Sequence, residues 1–202
     1  MKTLKLTDTA NLLPFDGELY WLRAFYPPAV ADYYYQQLEQ TLAWQSEQLF
    51  IYGRWLTVPR LMAWYGDPGR YYRYSGVNHQ PLPWTAALST LKIDMETICG
   101  AAFNSVLANL YRNGQDSMGC HADNEKELGH NPLIASLSFG ESRILRFKHP
   151  GSAYKLDIEL AHGDLLIMAG AIQQHWRHEL PKTRQPKQAR INLTFRRIVG
   201  KL

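Results

Sequence analysis

Near the C-terminus, Ala189-Arg190-Ile191-Asn192-Leu193-Thr194-Phe195-Arg196 alternates apolar and polar residues without a break. A period of two is the signature of a β-strand, whose successive side chains point to opposite faces. One face therefore carries Ile191, Leu193 and Phe195, and the other Arg190, Asn192, Thr194 and Arg196. The polar face has two readings. It can meet solvent, the usual fate of such a face, or it can line the inside of a barrel. In the second case its arginines are placed to bind a carboxylate bidentately. Nothing in the strand itself decides between the two.

The rest of the chain supplies partners of two kinds. Ahead of Gly100 the apolar period is helical. Pro27-Pro28 opens a helix with Val30, Tyr33, Tyr34, Leu38, Thr41 and Leu42 at helical spacing. A second starts near Pro83, puts Trp84, Leu88, Leu91, Met95 and Ile98 on one stripe, and stops at Gly100. Beyond Gly100 the period falls to two. Tyr154, Leu156, Ile158 and Leu160 alternate with Lys155, Asp157 and Glu159, and residues 133–139, 143–148 and 164–169 also read as strands. Turn signals such as Arg112-Asn113-Gly114 and Lys148-His149-Pro150-Gly151 separate them. Short strands behind two helices give an α+β fold whose main body is a sandwich or a jelly roll; a double-stranded β-helix (jelly-roll) core with the N-terminal helices packed on one side is the expectation carried forward. There is no internal repeat or long linker, so residues 1–202 read as one domain.

Composition narrows the class. A chain that is 46% hydrophobic, with 25 aromatic residues, folds around a real core and is not disordered. Two cysteines, Cys99 and Cys120, cannot build a disulfide scaffold, so a reducing compartment is expected. Cys120 reads as a small packing residue. No apolar run approaches the roughly 18–20 residues of a membrane span, and residues 1–9 lack a signal-peptide apolar region. The net charge is only +4, but it is unevenly placed. Residues 177–202 carry +7 and residues 51–76 carry +3, whereas the remainder is acidic. In residues 51–76, Arg54, Arg60, Arg70 and Arg73 are interleaved with Tyr52, Trp55, Trp64, Tyr65, Tyr71, Tyr72 and Tyr74. Cations beside flat rings suit a nucleic-acid surface. A twisted hairpin with solvated arginines and a half-buried aromatic face is the simpler reading of that segment alone.

His121-Ala122-Asp123 places two ligand types at i and i+2, on one side of an extended segment. A distant histidine would complete a 2-His-1-carboxylate triad with coordination positions left open on Fe(II). His175 and His178, 54 and 57 residues downstream, are the candidates, and spacing does not choose between them. His79, His130 and His149 sit beside turn residues and read as surface loops, and His162 as part of a turn before a strand. An H-x-D tripeptide alone is a weak signal. Together with a histidine about 57 residues on and an arginine-bearing strand after it, it has the order in which Fe(II)/2-oxoglutarate dioxygenases present their metal and cosubstrate groups.

At these residues the sequence resembles the AlkB family of Fe(II)/2-oxoglutarate-dependent nucleic-acid dealkylases, especially its DNA-repair branch. The matching segments are Val106-Leu107-Ala108-Asn109-Leu110-Tyr111, His121-Ala122-Asp123-Asn124-Glu125, Ile134-Ala135-Ser136-Leu137-Ser138-Phe139-Gly140, His175-Trp176-Arg177-His178 and Arg190 to Arg196. Tyr65-Gly66-Asp67 and Tyr74-Ser75-Gly76 extend the match upstream. The resemblance divides the chain into an N-terminal extension with a helix (about 1–48), nucleotide-recognition hairpins (about 49–80) and the jelly-roll core (about 101–202). It implies that His121, Asp123 and His178 hold Fe(II). It implies that Arg190, assisted by Tyr111 and Asn192, pairs with the distal carboxylate of 2-oxoglutarate. Arg196 and Asn109 would hold its iron-proximal end, with Thr194 in support, so the polar face of the last strand should be internal.

The implied reaction converts 2-oxoglutarate and O2 to succinate and CO2 while an N-linked methyl group is oxidised and lost as formaldehyde. The implied substrate is alkylated DNA, with RNA as the alternative, carrying 1-methyladenine, 3-methylcytosine or etheno adducts. Its base must be flipped out of the stack to reach the metal. By resemblance, Tyr74 stacks on the flipped ring and Tyr72 hydrogen-bonds it, while Tyr52-Gly53-Arg54 forms a wedge at a hairpin tip. One position departs from the pattern. Repair members usually carry an acidic residue after the metal-binding aspartate, but here Asn124 stands there, and Glu125 is the replacement carboxylate for a cationic lesion. A monomer is expected, in the cytoplasm of a bacterium or the nucleus of a eukaryote. Two other functions remain open at this point: a hydroxylase of RNA, protein or a small molecule, and a non-catalytic metal-binding jelly roll.

Overall fold

The computed structural model describes residues 9–51, 53–69, 72–74 and 77–199, with the backbone alone described at 49–51, 72–74 and 77–79. In chain order the elements are β1 Glu18–Leu22, α1 Pro28–Thr41, β2 Gln45–Ile51, β3 Arg54–Gly66, β4 Tyr72–Tyr74, β5 Val77–His79, α2 Ala86–Cys99, β6 Ser105–Tyr111 and β7 Met118–His121. There follow β8 Ile134–Gly140, β9 Arg143–Lys148, β10 Lys155–Leu160, β11 Leu165–Ala169, α3 Ile172–His175, β12 Arg177–Leu180 and β13 Arg190–Arg196. A seven-stranded sheet has the order β1-β11-β8-β13-β6-β3-β2, and a four-stranded sheet the order β10-β9-β12-β7. The non-sequential order of antiparallel strands in two sheets is that of a jelly roll. β4 and β5 form a separate hairpin.

The helices form where capping and periodicity agree. Pro28 opens α1 at its first turn, where its missing N–H costs nothing. Thr85 caps α2 by accepting Leu88 N at 3.2 Å, and Gly100 ends it in the left-handed conformation (φ 62°) that glycine adopts without strain. The buried stripe of α1 is Ala31, Tyr34 and Leu38, whereas Val30 and Tyr33 are exposed. The stripe thus lies one position round from the one that the larger residues suggest.

β13 lies at the centre of the large sheet, with Leu193 opposite Ala108 of β6 and Leu137 of β8. Its Ile191, Leu193 and Phe195 side chains are fully buried and share one core with Leu38 of α1 and Leu88 and Met95 of α2. The helices therefore cover the outer, apolar face. The polar face of β13 turns inward, toward the small sheet, and all four of its residues are buried. The space between the sheets is itself divided. One part is apolar, built from Leu19, Leu166 and Met168 of the large sheet and Phe147, Ile158 and Leu160 of the small one. The other is the polar face of β13 and its neighbours. β1 and β2 are strands of the large sheet, so residues ahead of β3 contribute to the core as well as supplying a helix.

Leu193→Ala is expected to cost about 2–5 kcal/mol, because it opens a cavity between the helices and the sheet. Ile93→Ala, at an exposed position of α2, should change stability by no more than about 0.5 kcal/mol. Denaturant midpoints of the two variants check the contrast; equal losses would contradict the packing described.

Candidate active site

Pairing of the strands assembles the site. β7 and β12 pair with His121 directly opposite His178, which brings together two histidines 57 residues apart. Their ring centroids are 4.3 Å apart. Asp123, two residues beyond β7, points between them, with carboxylate oxygens 3.9 Å from His121 Nε2 and 3.8 Å from His178 Nε2. One donor atom from each of the three residues lies within 4.8 Å of the others.

The surroundings fix the protonation that a metal needs. His121 Nδ1 lies 2.8 Å from the Gly119 carbonyl, which can only accept, so Nδ1 donates and Nε2 is left as a ligand. Burial, with the neighbouring His121, pushes the imidazolium of His178 down to a pKa of about 3, so the ring is neutral. Burial alone would raise the Asp123 carboxyl. The positive charge of Arg196, with its hydrogen bond, leads the effects that outweigh burial and hold the pKa below the usual range. Arg196 Nη2 donates to Asp123 Oδ1 at 2.5 Å. Two imidazoles and one ionised carboxylate on one side of a cavity fit Fe(II) with positions left open.

Beside the triad lies the inward face of β13. Arg190 pairs in register with Tyr111 of β6, Asn192 with Asn109 of β6 and Ser138 of β8, and Thr194 with Ser136 of β8. Tyr111, Arg190, Asn192, Thr194 and Arg196 line the same cavity as His121, Asp123 and His178. Asn192 Nδ2 donates to Ser136 Oγ and the Leu137 carbonyl, both at 2.9 Å, and Thr194 Oγ1 donates to Asn192 Oδ1 at 3.2 Å. Arg190 is 2% exposed. Its Nη2 donates to the neutral Ser138 Oγ at 2.9 Å, and its buried Nε has no hydrogen-bond partner among the described residues. Burial pulls its pKa down to about 10. A buried guanidinium so placed is costly until an anion joins it. This unmet donor fits a carboxylate of 2-oxoglutarate.

Two residues at the site carry no local signal in the sequence. Arg60 of β3 is 3% exposed and so is not part of a solvated basic surface. Its Nε donates to Asn109 Oδ1 at 2.7 Å, and its Nη2 is buried without a partner. Gln173, in the short helix α3, accepts the Asp123 backbone N–H at 2.9 Å and fixes the segment that carries the ligand.

The substrate candidates lie elsewhere. Asn124 is exposed and Glu125 half-buried, in the loop that follows Asp123. Arg54 is exposed at the start of β3, where Gly53 turns the β2–β3 hairpin at φ 76°. Tyr72 and Tyr74 belong to β4, with only their backbone described, and Tyr52 lies outside the described residues. Cys120 is exposed rather than packed, and both cysteines are free thiols. His175, the rival to His178, points to a different cluster with Asp16 and His149, and His149 is largely buried, not a free surface residue.

A jelly roll with this triad and this arginine face defines a 2-oxoglutarate-dependent Fe(II) oxygenase. Residues 18–196 match the family profile described as the 2OG-Fe(II) oxygenase superfamily, and the chain uses Fe(II) and 2-oxoglutarate. Within that superfamily it belongs to the AlkB family. The human DNA oxidative demethylase ALKBH2 is 38% identical over 182 residues, covering 85% of this chain and 70% of the relative. The human alpha-ketoglutarate-dependent dioxygenase alkB homolog 3 is 42% identical over 178 residues, covering 83% of this chain and 62% of the relative. The bovine ALKBH2 is 38% identical, and the match spans 66% of its length. Among solved structures, OsALKBH1 superposes with a TM-score of 0.61 at 15% identity, over 92% of this chain and 99% of the other. A prolyl-4-hydroxylase from Pseudomonas putida gives 0.56 at 14%, over 89% and 92%. Both show the shared fold.

Gln173→Ala leaves the Asp123 N–H without its acceptor. It is expected to weaken Fe(II) binding about 10–100-fold, measured anaerobically on folded protein; unchanged affinity would show that Gln173 does not position the ligand.

Proposed function

We infer that this protein is an oxidative dealkylase of DNA. The inference is carried by the inward strand face that joins a His-Asp-His triad to a buried, anion-seeking arginine, in a chain 38% identical to the human DNA oxidative demethylase ALKBH2. Bound Fe(II), with 2-oxoglutarate and O2, supplies the oxidising power that hydroxylates the alkyl carbon on a base nitrogen. The hydroxymethyl product of a methylated base then loses formaldehyde in water.

The chain's own residues bind and orient. His121, Asp123 and His178 are the ligand set. Arg190 takes the distal carboxylate of 2-oxoglutarate through the donors it leaves unmet, with Tyr111 and Asn192 beside it. Arg196 and Thr194, which line the cavity, take the iron-proximal end, and the family resemblance assigns Asn109 to the same end. Arg196 also holds the Asp123 carboxylate ionised and oriented. Burial of Asp123, His178, Arg190 and Arg196 excludes water from the charged contacts and strengthens them.

A base inside a duplex cannot reach a cavity between two sheets, so the lesion is flipped, at least cost where damage has weakened its pairing. The β2–β3 hairpin, with Arg54 and the exposed Trp55 beside its Gly53 turn, is the wedge, and the family resemblance assigns Tyr52 to the same role. Tyr72 and Tyr74 receive the flipped ring. Glu125 opposes the positive charge of 1-methyladenine or 3-methylcytosine, and Asn124 contributes hydrogen bonds without charge. RNA is the second substrate to test, because a flipped base offers the same ring in either strand.

Succinate formation is expected when methylated single-stranded DNA, Fe(II) and 2-oxoglutarate are supplied, with formaldehyde in equal amount. No stimulation over a His121→Ala control would make the chain a binding module, and faster turnover on methylated tRNA would move it to RNA. Glu125→Gln is expected to slow repair of cationic 3-methylcytosine about tenfold or more relative to neutral ethenoadenine; equal losses on the two would remove Glu125 from lesion recognition.

A further inference from the structure

We propose that Asp16, His149 and His175 form a second cation site, suited to Zn2+, that staples the N-terminal segment to the helix behind the iron ligands. One donor atom from each residue lies within 4.8 Å of the other two. Asp16 Oδ2 is 3.2 Å from His149 Nε2. The His149 and His175 rings have parallel planes, 4° apart, and centroids 6.2 Å from each other. An Asp–His hydrogen bond accounts for the first pair but not for the third donor. Two imidazoles and a carboxylate, with a water in the fourth position, are a zinc donor set.

The three donors come from segments remote in sequence, and each is held by its own framework. Asp16 sits in a left-handed turn (φ 54°). Asn11 folds that turn: its Oδ1 accepts Leu13 N at 3.0 Å and Leu19 N at 2.9 Å, and its Nδ2 donates to the Gly17 carbonyl at 3.0 Å. The strap lies directly on α3. A Cβ at Gly17 would come within 2.8 Å of Ile172 Cα, so only glycine permits the approach. His149 follows β9 and is walled by Phe15 and Trp176, each ring 5.1 Å away in edge-to-face contact. Its side chain is only 11% exposed, and its Nδ1 is buried with no hydrogen-bond partner among the described residues. His175 ends α3.

The position gives the site a consequence. α3 carries Gln173, which holds the Asp123 N–H, and leads directly into β12 with His178. An ion that ties Asp16 and His149 to His175 therefore braces the segment that places two of the iron ligands. The site shares no residue with the iron triad and does not depend on what the enzyme oxidises.

The test uses the full-length protein carrying His121→Ala and Asp123→Ala, so that zinc in the iron site is not counted. Equilibrium dialysis against Zn2+ should retain one equivalent per chain. At zinc about 100-fold above its Kd, Tm should rise by roughly 5–10 °C. Adding His149→Ala with His175→Ala should abolish both effects. Asp16→Asn keeps the side-chain shape and a hydrogen bond to His149, so it should leave the metal-free Tm in place while weakening zinc binding at least about tenfold. The proposal is overturned if the parent retains no zinc, if zinc persists without both histidines, or if Asp16→Asn binds as tightly as the parent.

Discussion

A guanidinium held out of water between two sheets is the constraint on which the rest of this structure depends. Burying an ion without a counter-charge costs several kcal/mol, and β13 buries two arginines on one face. Arg196 meets its counter-charge inside the protein, in Asp123. Arg190 meets a serine hydroxyl and keeps a donor in reserve. The first pairing couples the cosubstrate strand to the metal ligands, so the triad and the β13 face form one electrostatic unit. The second leaves a cavity that is complementary to a small dianion before that anion arrives. The apolar side of β13, against α1 and α2, is what stabilises this arrangement.

The same logic explains why the triad and the β13 face are rigid, whereas the proposed substrate contacts stand on hairpins. His121, His178, Asn109, Tyr111 and the β13 residues stand on paired strands with fixed register. Asp123, just outside a strand, is held instead by Gln173 and Arg196. Arg54, Tyr72 and Tyr74 stand at or near hairpin tips. The proposed nucleic-acid surface can thereby vary without disturbing the triad or the β13 face.

Much of this was legible in the sequence because it is written in periods. The alternation over residues 190–196 and 154–160 marks strands that the structure contains, and the capping signals at Pro28 and Gly100 bound both long helices. Which side of β13 faces inward was not legible from the strand, because the answer depends on strands far away in sequence. Arg60 shows the limit most clearly. Among arginines and aromatics it reads as surface charge, yet pairing of β3 with β6 carries it beneath Asn109, 49 residues away. The basic character of residues 51–76 is correspondingly smaller at the surface than the charge count implies. Gln173 left no trace either, since one hydrogen bond from a side chain to a distant backbone N–H imposes no pattern on the chain. In α1 the exposure of Val30 and Tyr33 reflects the same point: the core lies where Ala31 can approach closely, not where the largest residues stand.

The central claim, that the inward face of β13 and the His-Asp-His triad form one site for Fe(II) and 2-oxoglutarate, is tested most directly by anaerobic titration. The readout is the visible charge-transfer absorption of Fe(II) chelated by a 2-oxo acid. The wild-type protein should develop the band at one equivalent of each, and His178→Ala should not develop it. Arg190→Ala should still bind Fe(II) but need about 30-fold or more 2-oxoglutarate, the loss expected when one partner of a buried charge pair is removed. An Arg190→Ala protein that binds 2-oxoglutarate as tightly as wild type would contradict the account.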